Sequence, residues 1–438
     1  MASEVVDLLQ TMIRNACVNT GQPDSGHEHR SVATLQAFFG VDGQVFEPAP
    51  GRQSLVYRVL GTDPTAPSLA LVPHLDVVPV DPQGWSQDPF GADIVDGFIY
   101  GRGAVDMLNM AAAFAHAVRP YIRGELEPRG DLIFAAVADE EAGGMKGAYR
   151  LTKNYWNLVG ADYLLTEVAY PKVNLGTNKA IPVSIGEKGS FFSRLKTTGV
   201  PGHGSVPYGA DNALEKMVVA LYNLLNTPSP VKLTKQWTEF VDGIGLEPDL
   251  ADALGDPHRI DEAIDRLAAT DPVFAGYVHA ATHLTISANQ AMAGVKSNII
   301  ADRAKADLDI RSLAGMDRKF VEDHLRAAMG ASSKAVEIQA MSNVDSNISP
   351  SQSALWDAIA DSVDEIEGHR SLLPALMTVA TDARFWRQRG TTAYGVGLYD
   401  DATSFSDLLT RFHGHDERVS IESVERSTAL YEQILMRF

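Results

Sequence analysis

The sequence predicts an α/β protein in which a doubly wound mixed sheet is interrupted by a smaller α+β domain. Short apolar segments alternate with helical patterns and end in His, Asp or Glu, namely residues 69–72, 131–138 and 163–166. This alternation of apolar segments and helical patterns stops near residue 185 and returns near residue 346. Because 438 residues exceed what one simple core holds, we expect two domains. The main domain comprises residues 1–185 and 346–438, and the inserted domain comprises residues 186–345.

The main domain should contain further helices and strands whose apolar residues follow the helical or the alternating period. An amphipathic helix is predicted over residues 5–18, a small-residue helix over residues 104–118, and further helices over residues 30–39 and 352–366 and at the C-terminal end. Further strands are predicted over residues 54–60, 98–103 and 393–398.

The inserted domain should follow the order strand, helix, strand, strand, helix, strand. Strands are predicted over residues 189–198, 282–287, 298–311 and 335–341, and helices over residues 211–225 and 317–329. Asp211 is the expected N-cap of the first helix. Residues 229–271 are rich in proline and acidic residues, which indicates an insertion with short helical pieces.

Composition and charge narrow the classes of function. The formal net charge is −19, which argues against a nucleic-acid partner because phosphate binding needs clustered Lys and Arg. Cys17 is the only cysteine, so no intrachain disulfide can form and a reducing compartment is expected. The first residues carry an acid where a signal peptide carries lysines, and no apolar run is as long as a membrane span. These features predict a cytoplasmic protein with no membrane partner.

His74 and Asp76 stand directly after the first apolar segment. Alternate residues of an extended chain share one face, so both side chains should point to the edge where open α/β sheets bind ligands. A His ligates a metal ion best when a carboxylate fixes its tautomer. By itself His-x-Asp is common, and a surface turn is the simpler interpretation. The metal site is favoured because the chain supplies more carboxylates and a late His in matching places.

Four further segments supply these residues: 101–107 with Asp106, 138–144 with Glu140 and Glu141, 166–167 with Glu167, and 413–417 with His413. Two imidazoles with several carboxylates suit Zn²⁺ or a similar divalent ion. The carboxylates exceed the needs of one four-ligand site, so we expect two ions and one bridging Asp, as in two-metal hydrolases. Of the two adjacent glutamates, one can ligate while the other serves as a base. For any single acid, a solvated loop carboxylate is the simpler interpretation.

These ordered segments and the inserted domain resemble the M20 family of metallo-aminoacylases and metallopeptidases over nearly the whole chain. Members include acetylornithine deacetylase, succinyl-diaminopimelate desuccinylase, aminoacylase-1, the carnosinases and carboxypeptidase S. The resemblance implies one ion on His74, Asp106 and Glu167, and a second on Asp106, Glu141 and His413. Asp106 would bridge the two ions.

The same resemblance implies roles for the neighbouring residues. Glu140 would be the general base and acid, and Asp76 would orient His74. The peptide bond after Asp106 would be cis. At the last ligand the family pattern is His-x-x-Asp/Asn-Glu, which favours His413 over His415 because Asp and Glu follow His413 at that spacing.

In the inserted domain, residues 199–205 match the family's Gly-x-x-x-His-x-Ser turn. The resemblance implies that His203 reaches the active site of the other subunit and polarises the scissile carbonyl. Local hydrogen bonding in a glycine turn is the alternative for this His. Asn298 and Arg311 match a family Asn and Arg, and the planar Arg fork suits a substrate carboxylate. The inserted domain would then be a lid that forms a homodimer, with the half-exposed strand at residues 189–198 offering an edge.

The expected function is hydrolysis of a small-molecule amide, a dipeptide or an N-acyl amino acid with a free carboxylate, with two zinc ions or cobalt or manganese in their place. A biosynthetic deacylase of the acetylornithine or succinyl-diaminopimelate type is one alternative. A non-catalytic metal-binding relative is another, and the presence of Glu140 argues against it. A two-metal phosphatase would leave Glu140 and Arg311 unexplained.

Two departures from the family pattern concern the substrate pocket. Gly397 is followed by Leu-Tyr, where members often show Gly-Pro, and the insertion near residues 229–281 is longer than in minimal desuccinylase-like members. These departures leave the identity of the substrate open, and they affect the expected class of reaction less.

Overall fold

The structure, a computed structural model, describes residues 3–173 and 179–438. Its α-helices are α1 (Glu4–Arg14), α2 (His29–Phe39), α3 (Leu108–Ile122), α4 (Ala148–Asn154), α5 (Trp156–Val159), α6 (Ala213–Leu225), α7 (Lys235–Ile244), α8 (Pro248–Leu254), α9 (Ile260–Ala268), α10 (Pro272–Thr282), α11 (Arg318–Met329), α12 (Ala354–Glu367), α13 (Ala383–Arg387), α14 (Phe405–Arg411) and α15 (Ile421–Arg437). Within the described ranges, no helix is long and apolar enough to cross a membrane.

The strands are β1 (Gln44–Phe46), β2 (Ser54–Val59), β3 (Leu69–Leu71), β4 (Ile94–Val95), β5 (Phe98–Tyr100), β6 (Leu132–Ala136), β7 (Tyr163–Thr166), β8 (Ile181–Glu187), β9 (Gly189–Ser190), β10 (Ser193–Thr198), β11 (Thr285–Ala293), β12 (Arg303–Ser312), β13 (Glu337–Ala340), β14 (Asn347–Ile348), β15 (Leu372–Met377), β16 (Thr392–Gly395) and β17 (Arg418–Ser420). Among the described residues they form a nine-stranded, a five-stranded and a three-stranded sheet.

The large sheet is mixed, with the order β1-β2-β6-β3-β7-β16-β8-β14 and with β15 beside β8. Strand β3 lies parallel to both of its neighbours, β6 and β7, and β16 runs parallel to β7. Strand β2 runs antiparallel to β6. The carboxyl ends of β3, β6 and β7 therefore meet at one edge, so the residues that follow these strands come together there.

Helices cover both faces of the large sheet because its strand residues alternate between two cores. Leu71 of β3 and Phe134 of β6 belong to a core that includes α1, α2, α3 and α15. Ala70 and Ile133, one residue earlier on the same strands, belong to a core with α4, α5 and α13. The predicted mixed α/β fold is confirmed by this arrangement.

The five-stranded sheet is antiparallel, with the order β11-β12-β10-β13 and with β9 beside β12. Helices α6 and α11 cover one face through a separate core that includes Leu195, Met217, Leu308 and Leu325. The residues of β12 alternate between this core and a charged open face, where Arg194 of β10 pairs with Asp307.

Helices α7 to α10 occupy the sequence insertion and pack against the large sheet. Their apolar residues share a core with Tyr170, Phe405 and residues of β15. Tyr277 of α10 also donates a hydrogen bond to the carbonyl oxygen of Leu376. The interval 186–345 is therefore divided between two cores, one under the small sheet and one beside the large sheet.

Several predicted element bounds are wrong. Helix α3 begins at Leu108 and not at residue 104, because residues 102–107 form a turn. Asn212, not Asp211, caps α6, since its side chain accepts the N–H of Leu214. Strand β12 begins at Arg303, so Asn298 lies in a turn and not on the strand predicted over residues 298–311.

The predicted edge of the small sheet is also wrong. Strand β10 lies between β12 and β13, so residues 189–198 are not free to pair with another chain. The edge strands of this order are β11 and β13, and the residues of β11 from Ser287 to Ala293 are exposed. The alternation in β10 shows that one of its faces is buried, but that pattern carries no information about which strands lie beside it.

Candidate metal centre

The edge formed by β3, β6 and β7 gathers the predicted metal ligands and the predicted base. His74 follows β3, Glu140 and Glu141 lie in the 3₁₀ turn after β6, Glu167 follows β7, Asp106 lies in the turn before α3, and His413 follows α14. Because these side chains arrive from five separate segments, the sheet edge and not any local motif creates the site.

His74, Asp106 and Glu167 form one group. The Nε2 atom of His74 lies 3.0 Å from Asp106 Oδ1 and 3.6 Å from Glu167 Oε2. Its Nδ1 atom is 2.9 Å from the main-chain carbonyl oxygen of Asp76, and with Nδ1 as the donor, Nε2 is left as the ligand atom. The Asp76 carboxylate lies farther from Nδ1, at 3.7 Å. Asp76 therefore orients His74 mainly through its carbonyl group.

Asp106, Glu141 and His413 form a second group. The Nε2 atom of His413 lies 3.3 Å from Asp106 Oδ2 and 3.3 Å from Glu141 Oε2. In each group the candidate ligand atoms lie within 4.8 Å of one another, close enough to bind one ion. Asp106 directs a different carboxylate oxygen towards each imidazole, as a bridging ligand does. The peptide bond between Asp106 and Met107 is cis, as the resemblance implies.

Burial and mutual repulsion control protonation in the site. Burial and the charge of Asp106 raise the pKa of Glu141 to about 7. Burial and the charge of Glu167 raise the pKa of Glu140 well above its ordinary value. Hydrogen bonds to Asp106 and Glu141 raise the pKa of His413 to about 10. The acids outnumber the imidazoles that face them, and a divalent cation would balance the excess.

The residues present fit such cations. Within the described part of the chain, the Oε1 atom of Glu141 is buried without a hydrogen-bond partner, which is unfavourable unless a cation binds it. Imidazole nitrogens and carboxylate oxygens are the ligands that zinc accepts when no thiolate is present. Cys17 takes no part, because its buried thiol contacts Ser31.

Glu140 belongs to neither ligand group, although it is adjacent to Glu141. The main-chain N–H groups of Glu140 and Glu141 both donate to the Asp76 carboxylate, at 3.2 and 3.1 Å. The side chain of Asn19 donates to the same carboxylate at 2.7 Å. The Asp76 carboxylate therefore holds the turn that carries the predicted base, a role of Asp76 that the sequence did not predict.

A buried ion pair between Arg102 and Glu417 joins the segment that carries Asp106 to the segment that carries His413. The two side chains meet at 2.6 Å. Glu417 also accepts the N–H groups of Gly103, Val105 and Asp106, at 3.1, 2.7 and 3.1 Å. Arg102 donates to the carbonyl oxygen of His413 at 3.2 Å. These bonds fix the turn that carries Asp106 against the turn that carries His413.

The two late histidines lie in different places. His413 faces Asp106 and Glu141, whereas the ring of His415 packs on Gly84, where an added Cβ would lie 1.5 Å from its Nδ1 atom. The geometry thus favours His413 as the ligand, in agreement with the motif spacing.

The three residues predicted on the inserted domain are not brought to the metal ligands. His203 is exposed, and its Nδ1 atom lies 2.7 Å from Ser205 Oγ. Asn298 is also exposed. It lies beside His203, because its carbonyl oxygen accepts the N–H of Gly204. Arg311 lies over the Phe192 ring and pairs with Asp309. Among residues 3–173 and 179–438, no hydrogen bond or ion pair joins these three to the ligand groups.

Sequence reasoning missed the residues behind the site, namely Asn19, Glu28, Arg52 and Arg102. Arg102 stood four residues before Asp106 between two glycines, and that closeness was the available signal. The other three lie in segments without a periodic pattern, where nothing in the sequence distinguishes them from surface residues.

The model of peptidase family M20/M25/M40 matches residues 70–437. A probable carboxypeptidase S-like 2 of Dictyostelium discoideum is 28% identical over 87% of this chain and 74% of its own length. Aminoacylase-1 of Sus scrofa is 27% identical over 94% of this chain and 90% of its own.

An M20 family metallo-carboxypeptidase from Sulfolobus solfataricus has a similar fold. Its structure matches with a TM-score of 0.75 at 19% identity, covering 99% of this chain and 98% of that one. The resemblance drawn from the sequence motifs is confirmed by these comparisons.

We predict that His413→Asn removes one of two tight zinc sites, whereas His415→Asn retains both. The loss of a direct ligand should weaken one site by more than the roughly 10–100-fold that loss of an outer-shell partner costs. Calorimetric titration of metal-free protein with Zn²⁺ against a competing chelator measures both affinities. If the His415 variant loses a site and the His413 variant does not, the ligand is His415.

Proposed function

Because the chain belongs to peptidase family M20/M25/M40 and is a metal-dependent hydrolase of amide bonds, we propose that it cleaves a dipeptide or an N-acyl amino acid with a free carboxylate. One observation carries the proposal. Asp106 is shared between two metal-ligand groups, while the neighbouring Glu140 belongs to neither. The named activities of the carboxypeptidase S-like and aminoacylase-1 relatives support the two substrate types.

In this proposal His74, Asp106 and Glu167 hold one ion, and Asp106, Glu141 and His413 hold the other. We propose zinc as the metal, with cobalt or manganese able to replace it. The bound ions would polarise the scissile carbonyl and make a water molecule more acidic.

Glu140 performs the proton transfers. Its carboxylate takes a proton from the water whose oxygen attacks the carbonyl carbon, and it then gives this proton to the leaving nitrogen as the C–N bond breaks. The Asp76 carboxylate keeps the base in place through the N–H bonds of the turn.

Glu140→Gln should lower kcat by roughly two to four orders of magnitude, because an amide keeps the shape but cannot take the proton. The measurement is hydrolysis of a panel of dipeptides and N-acyl amino acids with Zn²⁺, Co²⁺ and Mn²⁺, together with metal analysis. Glu141→Gln serves as the comparison and should lose metal affinity instead. The proposal fails if wild-type protein with two bound ions hydrolyses none of these amides.

We also propose that the small sheet, with α6 and α11, is a lid through which two copies assemble. The edge strand β11 is open for pairing. Beside it, α6 exposes Leu214, Val218 and Tyr222, which lie one turn apart on the same face of the helix. Val218 and Tyr222 are 56% and 67% exposed, so an apolar helix stripe continues the open edge.

Such a dimer gives His203 a function. In one chain His203 contacts Ser205 and makes no bond to the metal-ligand groups among the described residues. We propose that it serves the site of the partner copy, where an imidazole next to the scissile carbonyl stabilises the developing oxyanion. A two-fold symmetric dimer would place one such histidine at each site.

Mixed dimers test this arrangement. Inactive His203→Ala chains exchanged with inactive Glu140→Gln chains should recover about a quarter of wild-type activity, because half of the dimers carry one intact site. Val218→Glu in both chains should abolish the recovery and give a monomer in light scattering. Leu126→Glu, which changes an exposed apolar residue elsewhere, is the control and should leave the recovery intact. No recovery after verified exchange means that His203 does not act across the dimer.

Arg311 is the proposed reader of the substrate carboxylate. Its guanidinium lies 4.8 Å from the centroid of the Phe192 ring and 2.7 Å from Asp309 Oδ1. A second nitrogen reaches Asp309 Oδ2 at 3.3 Å, so the planar fork already holds a carboxylate in two-point contact. Asn298 lies in the turn before β12 and would bind the same end of the substrate.

Arg311→Ala should cost roughly 2–5 kcal/mol in kcat/KM for a substrate with a free carboxylate, as loss of a buried charged contact does. For the matching C-terminal amide, wild type and variant should be equally poor. Arg311→Lys should restore little, because an ammonium lacks the planar fork. Asp309→Ala is the control, since it removes the present partner and leaves the guanidinium. Equal hydrolysis of acid and amide by wild type excludes carboxylate recognition.

A further inference from the structure

We propose that Arg52 is a positioning residue for the base turn and controls it by two buried routes. The segment before β2 carries Arg52, far in sequence from Asp139, Glu140 and Glu141. The inference rests on the proposed function for the roles of the two glutamates. It concerns residues that precede the part of the chain matched by the family model.

The first route passes through Glu28. The guanidinium of Arg52 donates to Glu28 Oε1 at 2.6 Å, and both side chains are fully buried. The same Glu28 oxygen accepts the main-chain N–H of Asp139 at 3.2 Å. Asp139 immediately precedes Glu140 and has a φ of +72°, a left-handed conformation that residues other than glycine seldom adopt. Glu28, fixed by Arg52, holds the chain in this conformation where it enters the base turn.

The second route passes through Asn19. A second guanidinium nitrogen of Arg52 donates to Asn19 Oδ1 at 2.7 Å. The amide nitrogen of Asn19 then donates to Asp76 Oδ2, also at 2.7 Å. Arg52 and the main-chain N–H of Gly21 both donate to the oxygen of the amide, so its nitrogen end faces Asp76. Asp76 in turn accepts the N–H groups of Glu140 and Glu141.

The two routes converge on one short turn from different sides. The planar guanidinium of Arg52 presents several donors in a fixed fork and serves an acid and an amide oxygen at once. Arg52 therefore links the entry residue of the turn to the carboxylate that holds its N–H groups. Because the turn carries both a ligand and the base, a shift in it would change metal affinity and proton transfer together.

A double substitution tests this role by removing the charges of Arg52 and Glu28 together. Asp139, which lies 3.6 Å from Arg52, keeps Lys146 at 3.9 Å. Arg52→Met alone would strand Glu28 and risk misfolding. Arg52→Met/Glu28→Met replaces a buried ion pair by apolar groups, a change that folded proteins often tolerate. The control is Arg58→Met. Arg58 lies at the opposite end of β2 and pairs with Asp131 at 2.6 Å, away from the site.

We expect the double variant to melt near the wild-type temperature. One of its two zinc affinities should fall by roughly 10–100-fold, as loss of an outer-shell partner does, and kcat should fall to a similar extent. KM should change by less than about threefold, because substrate contacts are untouched. Arg52→Lys should recover part of the loss, since an ammonium keeps the charge but lacks the planar fork that directs donors to both acceptors. Calorimetric titration, thermal melts and steady-state kinetics supply these values.

The proposal is overturned if the double variant keeps wild-type zinc affinities and kcat, or if Arg58→Met loses as much. The zinc titration needs no substrate. If wild type hydrolyses no amide, the proposed function fails, while the effect of Arg52 on the metal ligand is still measured.

Discussion

Four carboxyl groups, those of Asp106, Glu140, Glu141 and Glu167, crowd around two imidazole rings at one edge of the large sheet. Their repulsion and their loss of water oppose folding, because each buried charge raises the free energy of its neighbours. Hydrogen bonds from the imidazoles offset this only for Asp106, whose pKa is held below its ordinary range although burial acts to raise it. For the remaining acids the pKa stays high until divalent cations bind, so metal binding and the stability of this edge are coupled.

Two buried Arg–Glu pairs support the turns that carry these carboxyl and imidazole groups. Arg52 and Glu28 stand behind the turn of the base, and Arg102 and Glu417 stand behind the turns of Asp106 and His413. A buried ion pair adds little net stability, because desolvation cancels most of the attraction. These pairs nevertheless have several hydrogen bonds to main-chain N–H and C=O groups, which ordinary surface pairs lack. We infer that they serve the geometry of the site more than the stability of the fold.

The candidate ligands were predicted from the resemblance to the family, and the chain pattern alone marks the places of only some of them. His74 and Glu167 follow apolar strands, and parallel strands bring their carboxyl ends to one edge wherever the sheet closes. Asn298 and the sheet edge were not predictable, because both depend on pairing between distant segments. Strand β10 shows the expected alternation in either position, inside the sheet or at its edge. The roles of Asn19 and Glu28 could not be predicted either, because they depend on contacts with Asp76 and Asp139 that exist only in the folded chain.

The metal side and the substrate side of the proposed reaction are built differently. Asp76, Asp106 and Glu140 belong to one dense network of buried hydrogen bonds beside the large sheet. His203 and Asn298 stand on exposed turns of the small sheet, and Arg311 is occupied by Asp309. The metal groups and the base are therefore fixed within one chain, whereas the groups proposed to bind substrate must approach from another sheet. Such a division lets the exposed turns change what is bound without disturbing the charges of the proposed hydrolysis, because among the described residues no hydrogen bond or ion pair joins His203, Asn298 or Arg311 to the metal-ligand groups.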